Sequence, residues 1–238
     1  MTTSTGTSVV ARRSFQRVAF HDARLPADLA AELWERPESL VAMGEPLRVQ
    51  YVRQTVRLFW AGQHYVLKHY VEPSRRHALK RTVLRSRARQ TWNVMHKLAD
   101  AGVATPRPVA CVENCIGPLR RDSFLLYPYQ EGRTLRSYVA GGARNSPPLM
   151  NRFWRELRKL WDRLAELRAS LADTNLNNFI VCPAGRVWVI DLDKARFHRL
   201  AFAAAKHQRR GWNQLLRSLG KTNPVARLDS STGEASAA

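Results

Sequence analysis

The sequence has few acidic residues, few cysteines and no long apolar run. It holds 19 aspartates and glutamates against 39 lysines and arginines. Its three cysteines are an odd number, and Cys111 and Cys115 have no His or Cys neighbours, so zinc and a disulfide framework are disfavoured. No apolar run approaches the roughly 20 residues of a membrane span, and the Thr- and Ser-rich N-terminus does not resemble a secretory signal. We therefore expect buried free thiols in a protein of the reducing cytoplasm.

Positive charge is the strongest feature of what is present. The net charge is +20 and the isoelectric point is about 11.1. An excess of this size predicts an anionic partner, which is a nucleic acid, a membrane surface or a phosphorylated ligand. The hydrophobic content of 45% is sufficient for a real core, and 238 residues suit one medium domain or two small lobes.

Hydrophobic periodicity divides the chain into an α+β arrangement. Alternating apolar residues predict strands at 47–52, 55–60 and 64–70, and further strands are expected at 107–111 and 124–127. Helical spacing predicts helices over 79–101 and 149–169, and a third that begins near Thr134. We expect disorder at 1–12 and 223–238, a small lobe with an N-terminal extension at 13–128, and a helical lobe at 129–222.

Residues 171–194 contain the arrangement that phosphoryl transfer requires. Asn178 lies five positions after Asp173, and Asp191 follows thirteen positions later. Two short strands at 179–182 and 186–190, joined by Pro-Ala-Gly, predict a hairpin that brings Asn178 and Asp191 to the same end. Amide and carboxylate oxygens suit Mg²⁺, and Asp173 suits a base that accepts a hydroxyl proton. An ordinary acidic hairpin would show the same residue types.

Two upstream features fit the same chemistry. Lys68 ends the apolar run Tyr-Val-Leu-Lys on a predicted strand, as does the lysine that grips nucleotide phosphates in kinases. A lysine on a strand can equally be an edge charge. Residues 127–132, Tyr-Pro-Tyr-Gln-Glu-Gly, form a turn-bearing link between a strand and a helix, which is typical of a hinge between two lobes.

Taken in order, these features resemble the protein-kinase-like fold. More narrowly, the chain resembles the bacterial lipopolysaccharide kinases, which phosphorylate Kdo or heptose in the inner core. The resemblance covers about residues 47–221. It rests on Ala-Asp-Thr-Asn at 172–175 with Asn178, on Val-Trp-Val-Ile-Asp-Leu-Asp-Lys-Ala-Arg at 187–196, and on Trp-Asn-Gln-Leu-Leu-Arg-Ser-Leu-Gly-Lys at 212–221. The last segment is similar to the closing helix of Kdo kinases.

The resemblance implies a two-lobed fold with a small antiparallel-sheet lobe and a reduced, mostly helical second lobe. It also implies ATP and Mg²⁺ as cofactors and an anionic glycolipid of the lipopolysaccharide core as acceptor. The protein would act in the cytoplasm, in peripheral contact with the inner membrane. The implied roles are a catalytic base (Asp173), magnesium ligands (Asn178 and Asp191), a phosphate-binding lysine (Lys68), and a hinge that pairs with adenine through its backbone (Pro128, Tyr129 and Gln130).

Three departures from the kinase pattern are visible. No glycine-rich loop joins the first two strands; Arg53 and Gln54 stand there instead, and we expect the basic side chain to contact phosphates in its place. Leu171 occupies the position of the kinase histidine before the base. Gln90 stands near the helix position where a kinase carries the glutamate partner of its lysine.

Three alternatives stay open beside the kinase. The first is an inactive kinase-like regulator, and the second is a small-molecule kinase with another acceptor. The third is a nucleic-acid-binding module, suggested by the charge and by four tryptophans at positions 92, 154, 161 and 212. These tryptophans recur on predicted helix faces, which favours core packing, so we expect no specific nucleic-acid partner.

Overall fold

The chain divides into two compact units. A computed structural model describes residues 8–50, 53–71, 85–117, 119–141 and 147–222. One unit is Met1–His96 with Pro106–Tyr129, and the other is Lys97–Thr105 with Gln130–Ala238. The division after Tyr129 lies one residue beyond the predicted lobe boundary. Lys97–Thr105 joins the second unit, since the carbonyl oxygens of Ala101 and Ala104 accept hydrogen bonds from Arg163 Nε (2.5 Å) and Val189 N (2.9 Å).

The first unit is built on a seven-stranded antiparallel sheet. Its strand order is β1-β2-β6-β7-β5-β4-β3. The predicted meander is present as β3, β4 and β5, and a two-residue turn at Ala61 (φ 47°) and Gly62 (φ 80°) joins the last two of these strands. The strands are β1 Val9–Arg13, β2 Arg17–Asp22, β3 Glu45–Gln50, β4 Arg53–Trp60, β5 Gln63–Tyr70, β6 Ala110–Ile116 and β7 Leu119–Pro128.

The prediction of disorder over residues 1–12 is wrong from residue 9 onward. β1 pairs with β2 along its whole length, from Val9 opposite Asp22 to Arg13 opposite Val18. The Ser14 hydroxyl accepts the N–H of Arg17 at 3.0 Å and closes the turn between the two strands. All five side chains of β1 are exposed, so backbone pairing mainly defines this edge strand, and the Arg12 guanidinium adds a contact over the Trp34 ring at 4.2 Å. Composition therefore gives no indication of the strand. Residues 1–7 and 223–238 lie outside the described residues.

Two short helices cover one face of this sheet. They are α1 (Ala27–Glu35) and α2 (Pro37–Met43). Leu29, Leu33 and Leu40 from these helices are at most 2% exposed and belong to one apolar cluster with Val56 of β4 and Leu67 of β5. Burial of apolar area at this face holds the sheet and its helices together.

The predicted basic helix over 79–101 is present as α3 (Arg87–Asp100), while residues 79–84 lie outside the described part of the chain. The Ser86 hydroxyl accepts the Arg89 N–H at 3.1 Å, which is the bond of an N-cap residue. Trp92, Met95 and Leu98 are buried, so the apolar stripe of this helix packs into the protein as its spacing predicts.

The second unit is mostly helical. Phe153, Leu157 and Leu164 are at most 1% exposed, which confirms the predicted apolar face of the long helix α5. The basic residues near the C-terminus lie on one continuous helix, α6. The elements are β8 Arg133–Thr134, α4 Leu135–Ala140, α5 Pro147–Glu166, β9 Ala169–Ser170, a 3-10 helix Leu176–Asn178, β10 Phe179–Val181, β11 Val187–Val189, β12 Arg196–Phe197 and α6 Ala201–Thr222. Among the described residues no helix is long and apolar enough to cross a membrane.

Candidate functional site

Asp173 lies in a short loop between β9 and the 3-10 helix, and consecutive side-chain turns fix its conformation. The Asp173 Oδ1 atom accepts the N–H of Asn175 at 3.2 Å. The Asn175 Oδ1 atom in turn accepts the N–H of Asn177 at 3.0 Å and so caps the 3-10 helix. Asp and Asn suit these positions because their short side chains bond to the backbone two residues later.

Asn178 connects this loop to the hairpin that follows it. Its side-chain Nδ2 donates to the backbone oxygen of Asp173 at 3.2 Å, and its own backbone oxygen accepts the N–H of Ile190 at 2.8 Å. β10 and β11 are antiparallel, with Phe179 opposite Val189. The hairpin therefore brings Asn178 and Asp191 to the same end, which confirms the arrangement predicted from their spacing.

Asp191 has an uncommon backbone conformation. Its φ of 60° is in the left-handed region, which Asp tolerates better than most residues. Such conformations concentrate at functional sites. Beside it is a small, partly open pocket within the second unit, lined by Asp173, Asp191 and Lys194 together with apolar side chains such as Leu171. The two carboxylates and one lysine thus border the same space.

The donor set at this end of the hairpin fits magnesium. Because the amide nitrogen of Asn178 is bonded to Asp173, its Oδ1 is the atom that can bind a cation. With a carboxylate of Asp191 this gives two hard oxygen donors. In the described part of the chain no cluster of three or more His, Cys, Asp or Glu side chains forms a metal site. Two protein ligands suit Mg²⁺, which keeps several waters and binds substrate phosphates.

α6 contacts the Asp173 loop, in which Leu171 stands at the position of the kinase histidine. Leu171 is buried, and Thr174 is fully buried with its Oγ1 donating to the backbone oxygen of Gly211 at 2.9 Å. A Cβ on Gly211 would lie 3.2 Å from Thr174 Cγ2 and 3.3 Å from the Leu171 oxygen. Glycine in the middle of a helix costs roughly 1 kcal/mol relative to alanine. Here it permits the close approach of α6 to the Asp173 loop.

Two further residues hold the start of the same loop. The Gln208 Nε2 atom donates to the backbone oxygens of Leu164 (3.0 Å) and Ala169 (2.7 Å). His198 Nε2 lies 2.7 Å from Ser170 Oγ, beside the pairing of β12 with β9, and its ring stacks on that of His207. Burial, then the charges of His207 and Arg196, lower the pKa of His198 below its usual value. The sequence prediction missed this set of contacts.

In the first unit, Lys68 is 4% exposed on β5, opposite Thr55 of β4 and Leu125 of β7. Side chains alternate along a strand, so Lys68 projects from the face opposite that of Leu67, which packs with α1 and α2. Its Nζ lies 6.0 Å from the centre of the Tyr127 ring. The predicted phosphate-binding lysine is therefore buried within the sheet and is not an exposed edge charge.

A buried carboxylate in this unit comes from a strand. Glu113 on β6 is 3% exposed, and its Oε1 accepts the N–H of Ser86 at 3.4 Å at the start of α3. Leu125 lies opposite both Lys68 and Cys111, so Glu113, two residues after Cys111, is on the Lys68 face of the sheet. An isolated acid within the apolar run at 110–113 was the signal that could have found it.

Arg53 and Gln54 do not lie in the connection between β3 and β4. They are the first residues of β4, opposite Gln50 and Val49, and the connection at 51–52 is outside the described residues. Arg53 shares the face of Thr55 and hence of Lys68, whereas Gln54 is on the opposite face. The register therefore separates two residues that the prediction treated together.

The three predicted hinge residues differ in their contacts. Pro128 ends β7 and carries no N–H, and the N–H of Tyr129 donates to the His64 oxygen at 2.9 Å. Gln130 begins the second unit, where its Nε2 lies 3.1 Å from Cys182 Sγ. Burial raises the pKa of the Cys182 thiol, although the Gln130 contact opposes this shift. Cys182 is half-buried, whereas Cys111 and Cys115 are buried; all three are free thiols.

Comparison with known protein families identifies the family of this chain. The model of the lipopolysaccharide kinase (Kdo/WaaP) family matches residues 31–232, which is most of the chain. The chain belongs to the lipopolysaccharide kinase (Kdo/WaaP) family. The resemblance inferred from the motifs at 172–178 and 187–196 is thereby confirmed.

Individual members of the lipopolysaccharide kinase family are distant relatives. A 3-deoxy-D-manno-octulosonic acid kinase of Xylella fastidiosa (strain M12) is 24% identical over 173 residues, 73% of this chain and 58% of that protein. The lipopolysaccharide core heptose(I) kinase WaaP of Escherichia coli is 31% identical over 140 residues, 57% of this chain and 51% of that protein. The chain thus spans only a little over half the length of these two relatives.

A solved structure of WaaP in complex with acyl carrier protein has a similar fold. The TM-score is 0.59 at 22% sequence identity, and the similarity covers 84% of this chain and 79% of that chain. The predicted α+β, protein-kinase-like fold of this lipopolysaccharide kinase family member is confirmed.

The hydroxyl of Thr174 should control the order of the Asp173 loop. Thr174→Val keeps the shape but removes the donor to Gly211, and a buried hydrogen bond contributes about 1 kcal/mol. We expect the amides of Asn177 and Asn178 to exchange with deuterium roughly fivefold faster in this variant. Thr174→Ser retains the donor and should keep these two rates near those of the unmodified protein. Equal rates in both variants would show that the hydroxyl does not hold the loop.

His198 should make the protein less stable in mild acid. Its pKa in the folded state is below the ordinary value of about 6.5, so the unfolded chain binds more protons in that range. Stability should therefore fall as the pH drops from about 6.5 through the folded pKa. His207→Gln removes one of the charges that lower this pKa, and NMR titration should show His198 titrating at higher pH. An unchanged midpoint would exclude the coupling.

Proposed function

We propose that this protein is an ATP- and Mg²⁺-dependent kinase that phosphorylates a sugar hydroxyl of the lipopolysaccharide inner core. The observation that carries the proposal is a pair of hydrogen bonds made by Asn178. Its side-chain Nδ2 donates to the Asp173 carbonyl, and its backbone oxygen accepts the N–H of Ile190, the residue before Asp191. Asp173 and Asp191 line one pocket of the second unit, and these two bonds join Asn178 to the backbone of Asp173 and of Ile190. Family membership supports a kinase, and the relatives' names supply the acceptor class.

Asp173 is the proposed general base. Its Oδ1 is held by the Asn175 amide, so the carboxylate is oriented before the acceptor arrives. The sugar hydroxyl would give its proton to this carboxylate as its oxygen forms a bond to the γ-phosphorus. The bond from that phosphorus to the β,γ-bridging oxygen breaks, and ADP leaves with the bonding electrons. Positioning supplies most of the catalysis, because phosphoryl transfer asks little covalent chemistry of the protein.

In the proposal, side-chain oxygens would bind Mg²⁺ and basic side chains would bind the nucleotide phosphates. Asn178 Oδ1 and the Asp191 carboxylate would hold Mg²⁺, which when bound neutralises charge on the phosphates. Lys68 would bind phosphate oxygens as a point charge. Arg53, on the same sheet face as Lys68, is the proposed substitute for a glycine-rich loop; Gln54 has no role because it projects from the other face. Backbone atoms of residues 128–130 would pair with the adenine.

Kdo is the proposed acceptor sugar, with heptose as the alternative. Several relatives are named 3-deoxy-D-manno-octulosonic acid kinases, among them proteins of Xylella fastidiosa and Pasteurella multocida. The closing segment at 212–221 resembles that of Kdo kinases. An acidic glycolipid also suits a chain with a net charge of +20. We place the reaction at the cytoplasmic face of the inner membrane, through peripheral contact.

The packing of the tryptophans disfavours a nucleic-acid-binding module. Trp92 is 5% exposed, and Trp161 contacts Trp212 with ring centres 5.0 Å apart. Trp92 is thus buried, and the half-buried rings of Trp161 and Trp212 pack against each other, so these three do not form an exposed stacking platform of the kind that single strands require. A small-molecule kinase with another acceptor would use the same carboxylates, so only acceptor panels distinguish it from the proposal.

Asp173→Asn should abolish most of the turnover. The amide keeps the shape of the carboxylate but cannot accept the hydroxyl proton, so we expect kcat to fall by roughly 10²- to 10⁴-fold. ADP release is measured with Kdo-bearing and heptose-bearing core acceptors, and the preferred acceptor identifies the sugar. Asp162→Asn, on the exposed surface of α5, is the matched control and should retain activity. Undiminished ADP release by Asp173→Asn would sink the assignment of the base.

Nucleotide binding separates an enzyme from an inactive regulator. We expect ATP to raise the melting temperature more with Mg²⁺ than without it, because a ligand of the folded state alone stabilises that state. Asp191→Asn should lose the magnesium-dependent part of the shift and keep the rest. A protein whose melting temperature does not respond to ATP, with or without Mg²⁺, would instead be a kinase-like regulator.

A further inference from the structure

Two large apolar side chains project into solvent where α6 begins. Phe202 is 72% exposed and Leu200 is 57% exposed, although most apolar residues of this unit are buried. We call this pair the apolar tip. Both residues follow β12, whose pairing with β9 places Arg196 opposite Ser170, three residues before Asp173. The tip is thus joined to the Asp173 loop by a short strand pair.

The charged residues on the solvent-facing side of α6 are all basic. The helix Ala201–Thr222 contains no Asp or Glu. Its buried side is marked by Ala204 and Leu215. At 100° per residue, the opposite side carries Phe202 and a row of exposed cations. These cations are Lys206, Arg209, Arg210 and Arg217.

We propose that the apolar tip and these cations form a docking surface for an anionic lipid bilayer. Basic side chains on one side of a helix, with an exposed aromatic and an aliphatic residue beside them, fit a helix that lies in the membrane interface. Cations are drawn to anionic headgroups, and Phe202 and Leu200 leave water among the lipid chains. A nucleic-acid duplex would satisfy the charges, but its bases are stacked inside and it offers no apolar partner for an exposed Phe and Leu. The bilayer is therefore the occupant that accounts for both features.

This surface extends the proposed function, since a glycolipid acceptor would be reached from a bilayer. Its test is independent of that function, because vesicle binding needs neither nucleotide nor acceptor. If the unmodified chain releases ADP with a soluble core oligosaccharide but does not bind anionic vesicles, the docking surface alone is overturned. If it binds the vesicles but releases no ADP with any core acceptor, the kinase alone is overturned.

The apolar contribution is tested by co-sedimentation of the protein with vesicles made of about two thirds phosphatidylcholine and one third phosphatidylglycerol. We expect the unmodified full chain to bind these vesicles and not pure phosphatidylcholine. The double variant Leu200→Ser with Phe202→Ser should bind roughly tenfold more weakly. Phe15→Ser is the matched control, since Phe15 is also 72% exposed but lies in the first unit, and it should change binding less than about twofold. Equal binding by the double variant and the unmodified protein would overturn the proposal.

The contribution of the α6 cations to vesicle binding is tested with two double variants that change the net charge equally. Lys206→Glu with Arg209→Glu should weaken anionic-vesicle binding by about 25-fold or more, since each cation near such a surface contributes about fivefold. Arg155→Glu with Arg158→Glu makes the same change in net charge on exposed positions of α5 and should have a much smaller effect. If both pairs weaken binding equally, the whole-chain charge is responsible and the proposed surface is wrong.

Binding to duplex DNA, measured for the unmodified protein and the Leu200→Ser, Phe202→Ser variant, distinguishes a lipid surface from a nucleic-acid site. We expect weak, salt-sensitive binding that the Leu200→Ser, Phe202→Ser variant leaves unchanged, because phosphate contacts need only charge. If that variant loses duplex binding as strongly as vesicle binding, the surface is a nucleic-acid site and the lipid proposal fails. Both substituted positions are exposed, and unchanged thermal unfolding verifies that the variants are folded.

Discussion

The candidate site depends on Asn178 more than on any other residue. Its amide nitrogen donates to the Asp173 backbone, and its backbone oxygen fixes the residue before Asp191. The side chain is 5% exposed, so a change that removed the donor would leave the Asp173 carbonyl without that bond in a buried setting. An aspartate there would place a carboxylate against a carbonyl oxygen. Only an amide supplies both a donor for the loop and an oxygen for a cation.

A second constraint comes from α6, which is remote in sequence from the Asp173 loop. Kinases carry a histidine before the base, and this chain has Leu171 there. The structure substitutes a contact made from outside the loop, in which Thr174 bonds to Gly211 and Gln208 bonds to Leu164 and Ala169. The loop that carries Asp173 is therefore supported although the histidine is missing.

Local features were predictable, and contacts between distant segments were not. The hairpin at 179–190 and the positions of Asn178 and Asp191 follow from spacing and a turn. The Thr174–Gly211 bond joins residues 37 positions apart, and nothing in a helical periodicity requires a glycine at its centre. The separation of Arg53 from Gln54 depends on strand register, because one residue of shift exchanges the two faces. β1 was missed because its exposed side chains carry no pattern.

The few acidic residues are distributed unevenly along this chain of net charge +20, and α6 has none of them. In the described residues several carboxylates pair with a nearby cation, as in Asp22 with Arg24 at 2.8 Å and Glu156 with Lys159 at 2.9 Å. α6 contains basic residues and no acid, so like charges repel along it and weaken the helix. An anionic surface would relieve this repulsion, and binding to the folded state would stabilise it. The same helix contacts the Asp173 loop, so contact with a bilayer would also stabilise that loop.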